Sequence, residues 1–200
     1  MVSRLVEQTP LQMMGQAPGT LANVLQWRAL HEPSRVACQF LSADIYDLGN
    51  AIQGNCWTYA DLDRRARMIG SQLRLCLSQQ RVQPVILAYA PGLEFVAALF
   101  GCWYAGAIAI PVQPASRHQG EERWQHILKD TQAVGILTSQ ALLPQVKKAA
   151  EKLIVNRPGN SFFCFVTDDP NQKDSPTTLE SESLNPDKGS DLALLQYTSG

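Results

Sequence analysis

A short run of small and hydroxylated residues at the end of the sequence carries the clearest chemical signal. Residues 191–197 (DLALLQY) have the apolar composition of a buried strand, and Thr198, Ser199 and Gly200 follow directly. Glycine lets a backbone approach an anion closely, and hydroxyl groups donate hydrogen bonds to phosphate oxygens. The tripeptide is therefore a candidate phosphate-binding loop. A plain turn after a strand would have the same composition, and the sequence has neither a Walker motif nor GxGxxG.

The other candidates for acid–base or metal chemistry have simpler interpretations. They are three carboxylate pairs and three histidines: Asp61/Asp63, Glu121/Glu122, Asp168/Asp169, His31, His118 and His126. The first two pairs fall in the first turns of predicted helices, where the helix dipole favours acids. The third pair lies in a polar loop, and no histidine has an acid or cysteine partner nearby. We expect no metal site among these residues.

Composition and charge indicate a folded domain without a strongly charged surface. The chain has 200 residues, of which 45% are hydrophobic, and this is typical of a globular protein. Its net charge is −1, and positive and negative side chains are spread over both halves. Because there is no basic region, we expect neither nucleic acid nor an anionic membrane as a partner.

The cysteines and the apolar segments favour a cytoplasmic protein. Five cysteines occur without a CxxC pair, and Cys76, Cys102 and Cys164 lie among apolar residues, which predicts buried free thiols. The N-terminus lacks an apolar run long enough for a signal peptide. Residues 95–116 carry no charge, but glycines and prolines interrupt them. They therefore predict a buried helix, a turn and a strand rather than a membrane span.

The hydrophobic pattern alternates between strands and helices after the first helix. Strands are predicted at 36–42, 54–59, 84–90, 107–112, 134–139, 161–166 and 191–197, and helices at 20–31, 58–76, 93–105, 121–132 and 141–153. Such alternation predicts an α/β fold with a mostly parallel sheet flanked by helices. Residues 1–18 form a flexible tail in this interpretation, residues 19–200 one domain, and residues 167–190 a long polar loop.

The helix after Trp57 is the element that local chemistry defines best. Thr58 and Asp61 have the spacing of a capping box, in which each side chain accepts a hydrogen bond from the backbone of the other. One apolar stripe then recurs at helical spacing and should face the core: Leu62, Ala66, Ile69, Leu73 and Cys76. Trp57 and Tyr59 are interpreted as core anchors rather than as rings that stack on a ligand.

Three segments, in order, resemble the AMP-forming acyl–adenylate ligases. The family's Ser/Thr/Gly-rich signature loop resembles, at its start, the last residues of this sequence, LALLQYTSG. Its Thr-Tyr-x-Glu-Leu segment resembles WTYADLDRRA at 57–66. Its Ala-Gly-x-x-x-x-Pro segment resembles GCWYAGAIAIPVQP at 101–114. The text ERWQHILKDTQAVGILTS is similar to the fatty acyl-AMP ligase branch and its acyl-CoA synthetase relatives. The resemblance covers residues 19–200 and implies the N-terminal portion of that ligase fold.

The resemblance also implies a two-step reaction. A fatty acid would attack the α-phosphate of ATP, with Mg²⁺, to give acyl-AMP and pyrophosphate, and the acyl group would pass to an acyl carrier protein or coenzyme A. Thr198, Ser199 and Gly200 would belong to the loop that holds the ATP phosphates. Phe95, Phe100, Trp103 and Tyr104 are interpreted as residues of a packed helix, with the lining of an acyl tunnel as the less favoured alternative.

The sequence departs from the family by ending inside the signature loop. Counterparts of the family's adenine-binding segments, metal-binding glutamate and C-terminal lysine are expected beyond Gly200, so residues 1–200 alone are predicted to be inactive. Two alternatives stay open. One is an amino-acid-activating adenylation domain of a peptide synthetase, and the other is a non-catalytic remnant or interaction module.

Overall fold

The computed structural model of the protein describes residues 19–41, 56–78, 82–114, 120–154, 162–169 and 192–197. The predicted tail at 1–18 and most of the predicted loop at 167–190 lie outside these ranges. The elements follow in the order α1 (Leu21–His31), β1 (Val36–Gln39), β2 (Cys56–Thr58), α2 (Tyr59–Cys76), β3 (Pro84–Ala88), α3 (Leu93–Tyr104), β4 (Ile108–Pro111), α4 (Gly120–Thr131), β5 (Gly135–Thr138), α5 (Leu143–Ile154) and β6 (Phe163–Val166).

The main sheet is parallel, as the alternation of strands and helices predicted. Its strand order is β4-β3-β5-β6, and every neighbouring pair is parallel. The segment Leu192–Tyr197 runs beside β4, on the side away from β3, through a parallel bridge between Ala109 and Leu194. Strands β1 and β2 form a separate antiparallel pair.

Helices cover both faces of this sheet. Successive strand residues point to opposite faces, so Val85 and Leu87 pack into one core with α2 and α3, whereas Ile86 and Ala88 pack into another with α4 and α5. All four side chains are buried. Both faces of β3 are therefore dry, and this explains the uninterrupted apolar sequence of the strand.

The predicted start of α2 is confirmed in detail. The Thr58 hydroxyl accepts a hydrogen bond from the Asp61 backbone N–H at 3.2 Å, and the Asp61 carboxylate accepts one from the Thr58 N–H at 3.1 Å. Hydrogen bonds from Thr58 hold the pKa of Asp61 below its usual value. Asp61 therefore caps a helix, as its position predicted.

Helices α2 and α3 pack very closely, and glycine makes this possible. A Cβ atom on Gly101 would lie 2.6 Å from Cγ2 of Ile69, and one on Gly70 would lie 3.0 Å from Cβ of Tyr104. After α3 the chain turns at Gly106, whose φ of 72° lies in the left-handed region that glycine favours. The predicted helix, turn and strand between Phe95 and Pro114 are thus confirmed. No helix within the described ranges is long and apolar enough to cross a bilayer.

Three local expectations are wrong. Cys102 is buried as predicted, but Cys76 and Cys164 are exposed. Gly70 of α2 lies beside Tyr104, the last residue of α3, so Cys76, at the end of α2, lies past this contact. Cys164 lies on β6, which forms one edge of the four-stranded sheet. The sequence predicts a fully buried strand at 191–197, but Leu192 is 54% exposed and Leu194 is 39% exposed. Within the described part of the chain this segment borders only β4, so it lies at an edge there.

Candidate active site

The parallel strands of the main sheet all end at the same edge, and the connections reverse direction between β3 and β5. Helix α3 leads from β3 to β4 and packs on one face, whereas α5 leads from β5 to β6 and packs on the other. In open α/β sheets, ligands bind at the carboxyl ends of the strands where such a reversal occurs. The edge formed by the ends of β3, β5 and β6 is therefore the candidate site.

Buried hydroxyl groups connect the ends of these three strands. The Tyr89 hydroxyl and the Thr167 hydroxyl are 2.9 Å apart, and the Thr138 hydroxyl donates to the Ala88 carbonyl at 2.9 Å. Burial raises the pKa of Tyr89 well above its usual value, so its hydroxyl stays protonated. These contacts connect the strand ends. The three hydroxyl groups are engaged in them, so we assign these groups no acid–base role.

An arginine from α2 adds a charged contact at the same edge. Nη2 of Arg65 lies 2.5 Å from the Thr167 carbonyl oxygen and 3.4 Å from Oε2 of Glu94. Burial raises the pKa of Glu94, and the charge of Arg65 opposes that rise. Arg65 therefore links α2 with the first turn of α3 and with the end of β6.

Two cavities adjoin this edge and share Trp57 and Glu94. One has a volume of about 260 Å³ and the other about 440 Å³. The smaller is lined mainly by apolar groups from the β1–β2 pair and the end of β3, including Phe40, Trp57 and Tyr89. The larger contains three charged groups, Asp61, Arg64 and Arg65, besides Glu94. Trp57 packs against the core and also borders both cavities.

The predicted phosphate-binding residues Thr198, Ser199 and Gly200 lie outside the described part of the chain. The segment immediately before them is described. It runs parallel to β4, with hydrogen bonds from Ala109 N–H to the Ala193 carbonyl at 3.0 Å and from Leu195 N–H to the Ala109 carbonyl at 2.9 Å. Because the direction is parallel, Tyr197 comes at the carboxyl edge of the sheet.

Three of the remaining candidates, Asp63, Asp168 and His31, have structural partners. Asp63 accepts hydrogen bonds from Arg67 and from the Tyr104 hydroxyl, each at 2.6 Å. Asp168 accepts one from the Gln140 N–H at 2.6 Å. The ring of His31 stacks on Trp27, 4.3 Å between ring centroids. His118 is outside the described residues, and those that are described contain no group of three acidic, histidine or cysteine side chains able to hold a metal ion.

The four aromatic residues considered for an acyl tunnel pack within the fold. The Phe95 ring meets Tyr89 edge-on at 6.5 Å, and the Phe100 ring meets Trp103 at 5.1 Å. Tyr104 is buried and bonded to Asp63. None of the four lines either cavity at the strand ends, and these contacts favour the packed-helix interpretation.

Sequence reasoning did not single out Arg65, Glu94 or Thr167. A signal for two of them was present, because Thr167 directly follows β6 and Glu94 stands in the first turn of the helix after β3. Residues just after parallel strands gather at one edge of the sheet. Arg65 had no such signal, since it comes from the middle of an amphipathic helix.

Comparison with known proteins identifies a family and relatives with similar sequences. The family described as AMP-binding enzyme matches residues 25–200. A medium-chain-fatty-acid–acyl-carrier-protein ligase of Moorena producens is 36% identical over 185 residues, covering 90% of this chain and 29% of that protein. A long-chain-fatty-acid–AMP ligase of Mycobacterium tuberculosis is 30% identical over 184 residues, with the same coverage of both chains. This chain thus spans 29% of the length of these two relatives.

Solved structures agree with the sequence matches. A fatty acyl-adenylate ligase from L. pneumophila, in complex with acyl adenylate and pyrophosphate, is 26% identical and has a TM-score of 0.60, with 91% of this chain and 28% of that chain covered. The McyG A-PCP structure complexed with phenylalanyl-adenylate, at 21% identity, shares the fold with a TM-score of 0.66, with 90% of this chain and 26% of that chain covered. The fold expected from the resemblance is confirmed, and because the family match extends over most of its residues, the chain belongs to the AMP-binding enzymes.

Proposed function

We propose that this chain is the N-terminal part of an ATP-dependent ligase that activates a fatty acid as acyl-AMP. One observation carries the proposal. The segment Leu192–Tyr197 runs parallel to β4, so Tyr197, the residue before the predicted loop, lies at the carboxyl edge of the sheet, and open α/β sheets bind ligands at that edge. The similarity to two relatives named as fatty-acid ligases supports a fatty acid as the substrate.

In the first step of the proposed reaction, the phosphate-binding loop holds ATP while the fatty acid attacks it. The carboxylate oxygen of the fatty acid attacks the α-phosphorus of ATP, the bond from that phosphorus to the bridging oxygen breaks, and pyrophosphate leaves. Thr198, Ser199 and Gly200 begin the loop that holds the β- and γ-phosphates in this proposal. Hydroxyl and backbone N–H donors there stabilise the charge that develops on the leaving pyrophosphate.

In the second step a thiol loses its proton to solvent, the thiolate attacks the acyl carbon, and AMP leaves with the electrons of the broken C–O bond. We propose the pantetheine thiol of an acyl carrier protein as the acceptor, with coenzyme A as the alternative. The relative from Moorena producens is named for a carrier protein, and this favours the first.

Mg²⁺ would accompany ATP by the same resemblance. Among the residues that the structure describes, no three acidic, histidine or cysteine side chains come together. Those residues do not provide a metal site.

The test is ATP–pyrophosphate exchange with a panel of fatty acids and amino acids. The longest natural protein that carries this chain should exchange label with fatty acids, whereas residues 1–200 alone should not. Ser199→Ala should slow exchange by about tenfold to a hundredfold, because one donor to the phosphates is lost. Ser34→Ala, on an exposed turn before β1, is the matched control and should change nothing.

Each other outcome has a definite meaning. Exchange with amino acids only would replace the fatty-acid assignment by that of an amino-acid-activating domain. No exchange with any acid in the longest protein would leave the non-catalytic alternative. Exchange by residues 1–200 alone would contradict the expectation that essential groups lie beyond Gly200.

A further inference from the structure

The backbone holds the segment Leu192–Tyr197 to the sheet only lightly. Strands β3 and β5 pair at four positions, from Val85–Gly135 to Ala88–Thr138. The segment Leu192–Tyr197, in contrast, pairs with β4 through one bridge among the residues that the structure describes, between Ala109 and Leu194. One bridge fixes the middle of a segment and leaves its ends to be set by other contacts.

Side chains add contacts on both sides of Leu194, from opposite faces of the sheet, and one of them shares the Ala193 carbonyl with the bridge. Nε1 of Trp103, on α3, donates to the Ala193 carbonyl at 3.0 Å. At the other end, the Tyr197 hydroxyl donates to the Asp130 carboxylate on α4. Nη2 of Arg123, also on α4, lies 3.3 Å from the Tyr197 carbonyl oxygen.

We propose that Tyr197 and Asp130 are positioning residues, which fix the point where the phosphate-binding loop leaves the sheet. This inference rests on the proposed function, because it assigns a task to residues that precede the loop. Tyr197 is joined to Thr198 by a peptide bond, so the place of its carbonyl group limits where the first hydroxyl of the loop can lie. Neither Tyr197 nor Asp130 is expected to touch ATP.

The Tyr197 side chain has two separable parts. Its ring packs against the core shared by α4 and α5, and only its hydroxyl reaches Asp130. Tyr197→Phe therefore keeps the packed ring and removes the hydrogen bond. Asp130 is exposed on α4, so Asp130→Ala should remove the acceptor with little effect on the core.

Alkaline titration tests the contact by itself. The hydrogen bond to Asp130 raises the pKa of Tyr197 to about 12 from a usual value of 10.0. The folded protein holds this proton more tightly than the unfolded chain, so the contact contributes fully below pH 10 and is lost as the pH rises through about 12. The absorbance difference between the unaltered protein and Tyr197→Phe should show this midpoint, and Asp130→Ala should lower it.

The kinetics of ATP–pyrophosphate exchange with a fatty acid test whether Tyr197 and Asp130 position the loop. In the longest natural protein that carries this chain, Tyr197→Phe and Asp130→Ala should each lower kcat/KM for ATP by about tenfold, because small displacements of a reacting group are costly. KM for the fatty acid should not change. Asp130→Asn keeps an acceptor oxygen and should recover part of the loss. The double variant should be no worse than either single one, since both remove the same contact.

Tyr104→Phe is the matched control, because it also breaks a tyrosine–aspartate bond, with Asp63 at 2.6 Å. That bond lies between α2 and α3, away from the loop, so this variant should lower thermal stability and leave kcat/KM for ATP unchanged. Unchanged kinetics in Tyr197→Phe, or an equal loss in Tyr104→Phe, would overturn the inference alone. No exchange in the unaltered protein would overturn the proposed function, and the inference with it.

Discussion

Two regions at the carboxyl edge of the same sheet are built in different ways. Where β3 and β6 end, Tyr89 is 6% exposed and Thr167 is fully buried, and their hydroxyl groups face each other. Where the segment Leu192–Tyr197 ends, the hydrogen bond to Asp130 is at the surface. The first region is held by a buried hydrogen bond between Tyr89 and Thr167, and the second by contacts that water can replace.

This difference predicts which substitutions destabilise the whole fold and which affect only one segment. Breaking a buried hydrogen bond leaves a polar group without water or protein partners, which is expensive, whereas an exposed group recovers most of its loss by hydration. We therefore expect damage near β3 and β6 to affect the whole fold. Damage around Leu192–Tyr197 should stay local, because regions with few buried contacts open without global unfolding.

The largest effect is expected at the close contact between α2 and α3. Gly101→Val adds a branched side chain where even a Cβ would lie 2.6 Å from Ile69. We expect a loss of about 3 kcal/mol in the free energy of unfolding and a fall in Tm of about 6–12 °C. Calorimetry measures both. Gly19→Val, where a Cβ would meet nothing within 4 Å, is the matched control, and equal losses in the two variants would refute the packing argument.

A smaller global effect is expected at the buried pair. Thr167→Val keeps the shape of the side chain and leaves the Tyr89 hydroxyl without its partner at 2.9 Å. The free energy of unfolding should fall by about 1–3 kcal/mol, measured by urea denaturation. Tyr89→Phe in the same chain removes the stranded hydroxyl, so the double variant should be less destabilised than the sum of the single ones. Strict additivity would show that the two hydroxyl groups do not interact.

The sequence was sufficient wherever structure is decided by near neighbours. The start of α2 follows from Thr58 and Asp61, which are three residues apart and bond each other directly. The alternation of strands and helices predicted a parallel sheet, and Gly106 predicted the turn after α3. In each case the deciding atoms lie within a few residues, or the pattern repeats along the chain.

The sequence was insufficient where distant parts decide. Arg65 and Thr167 meet although 102 positions separate them, and no local pattern signals such a contact. Cys76 belongs to an apolar stripe, yet it is exposed because α3 ends before it. The strand order β4-β3-β5-β6 is not the order of the chain, so the position of Leu192–Tyr197 at an edge was hidden. The apolar pattern of this segment alone therefore predicts a buried strand.

Trp103→Phe should have the smallest effect on the whole fold. It also tests most directly whether the segment Leu192–Tyr197 opens independently of the rest of the sheet. This change removes the donor to the Ala193 carbonyl at 3.0 Å and keeps an aromatic ring on α3. The edge segment should then open more often, while the rest of the sheet keeps its contacts. Hydrogen exchange should speed up by about fivefold at the Leu195 amide, which donates to the Ala109 carbonyl at 2.9 Å, since one lost hydrogen bond is worth about 1 kcal/mol.

The internal control for Trp103→Phe is the Val112 amide, which donates to the Leu87 carbonyl at 2.9 Å on the other side of β4. Its exchange should stay unchanged, because that bond depends on the buried pairing of β3 with β4. Faster exchange at both amides, together with a lower Tm, would mean that the edge segment and the sheet open as one unit. In that case the phosphate-binding end of the chain would share the stability of the core, and the contrast between the two regions would fail.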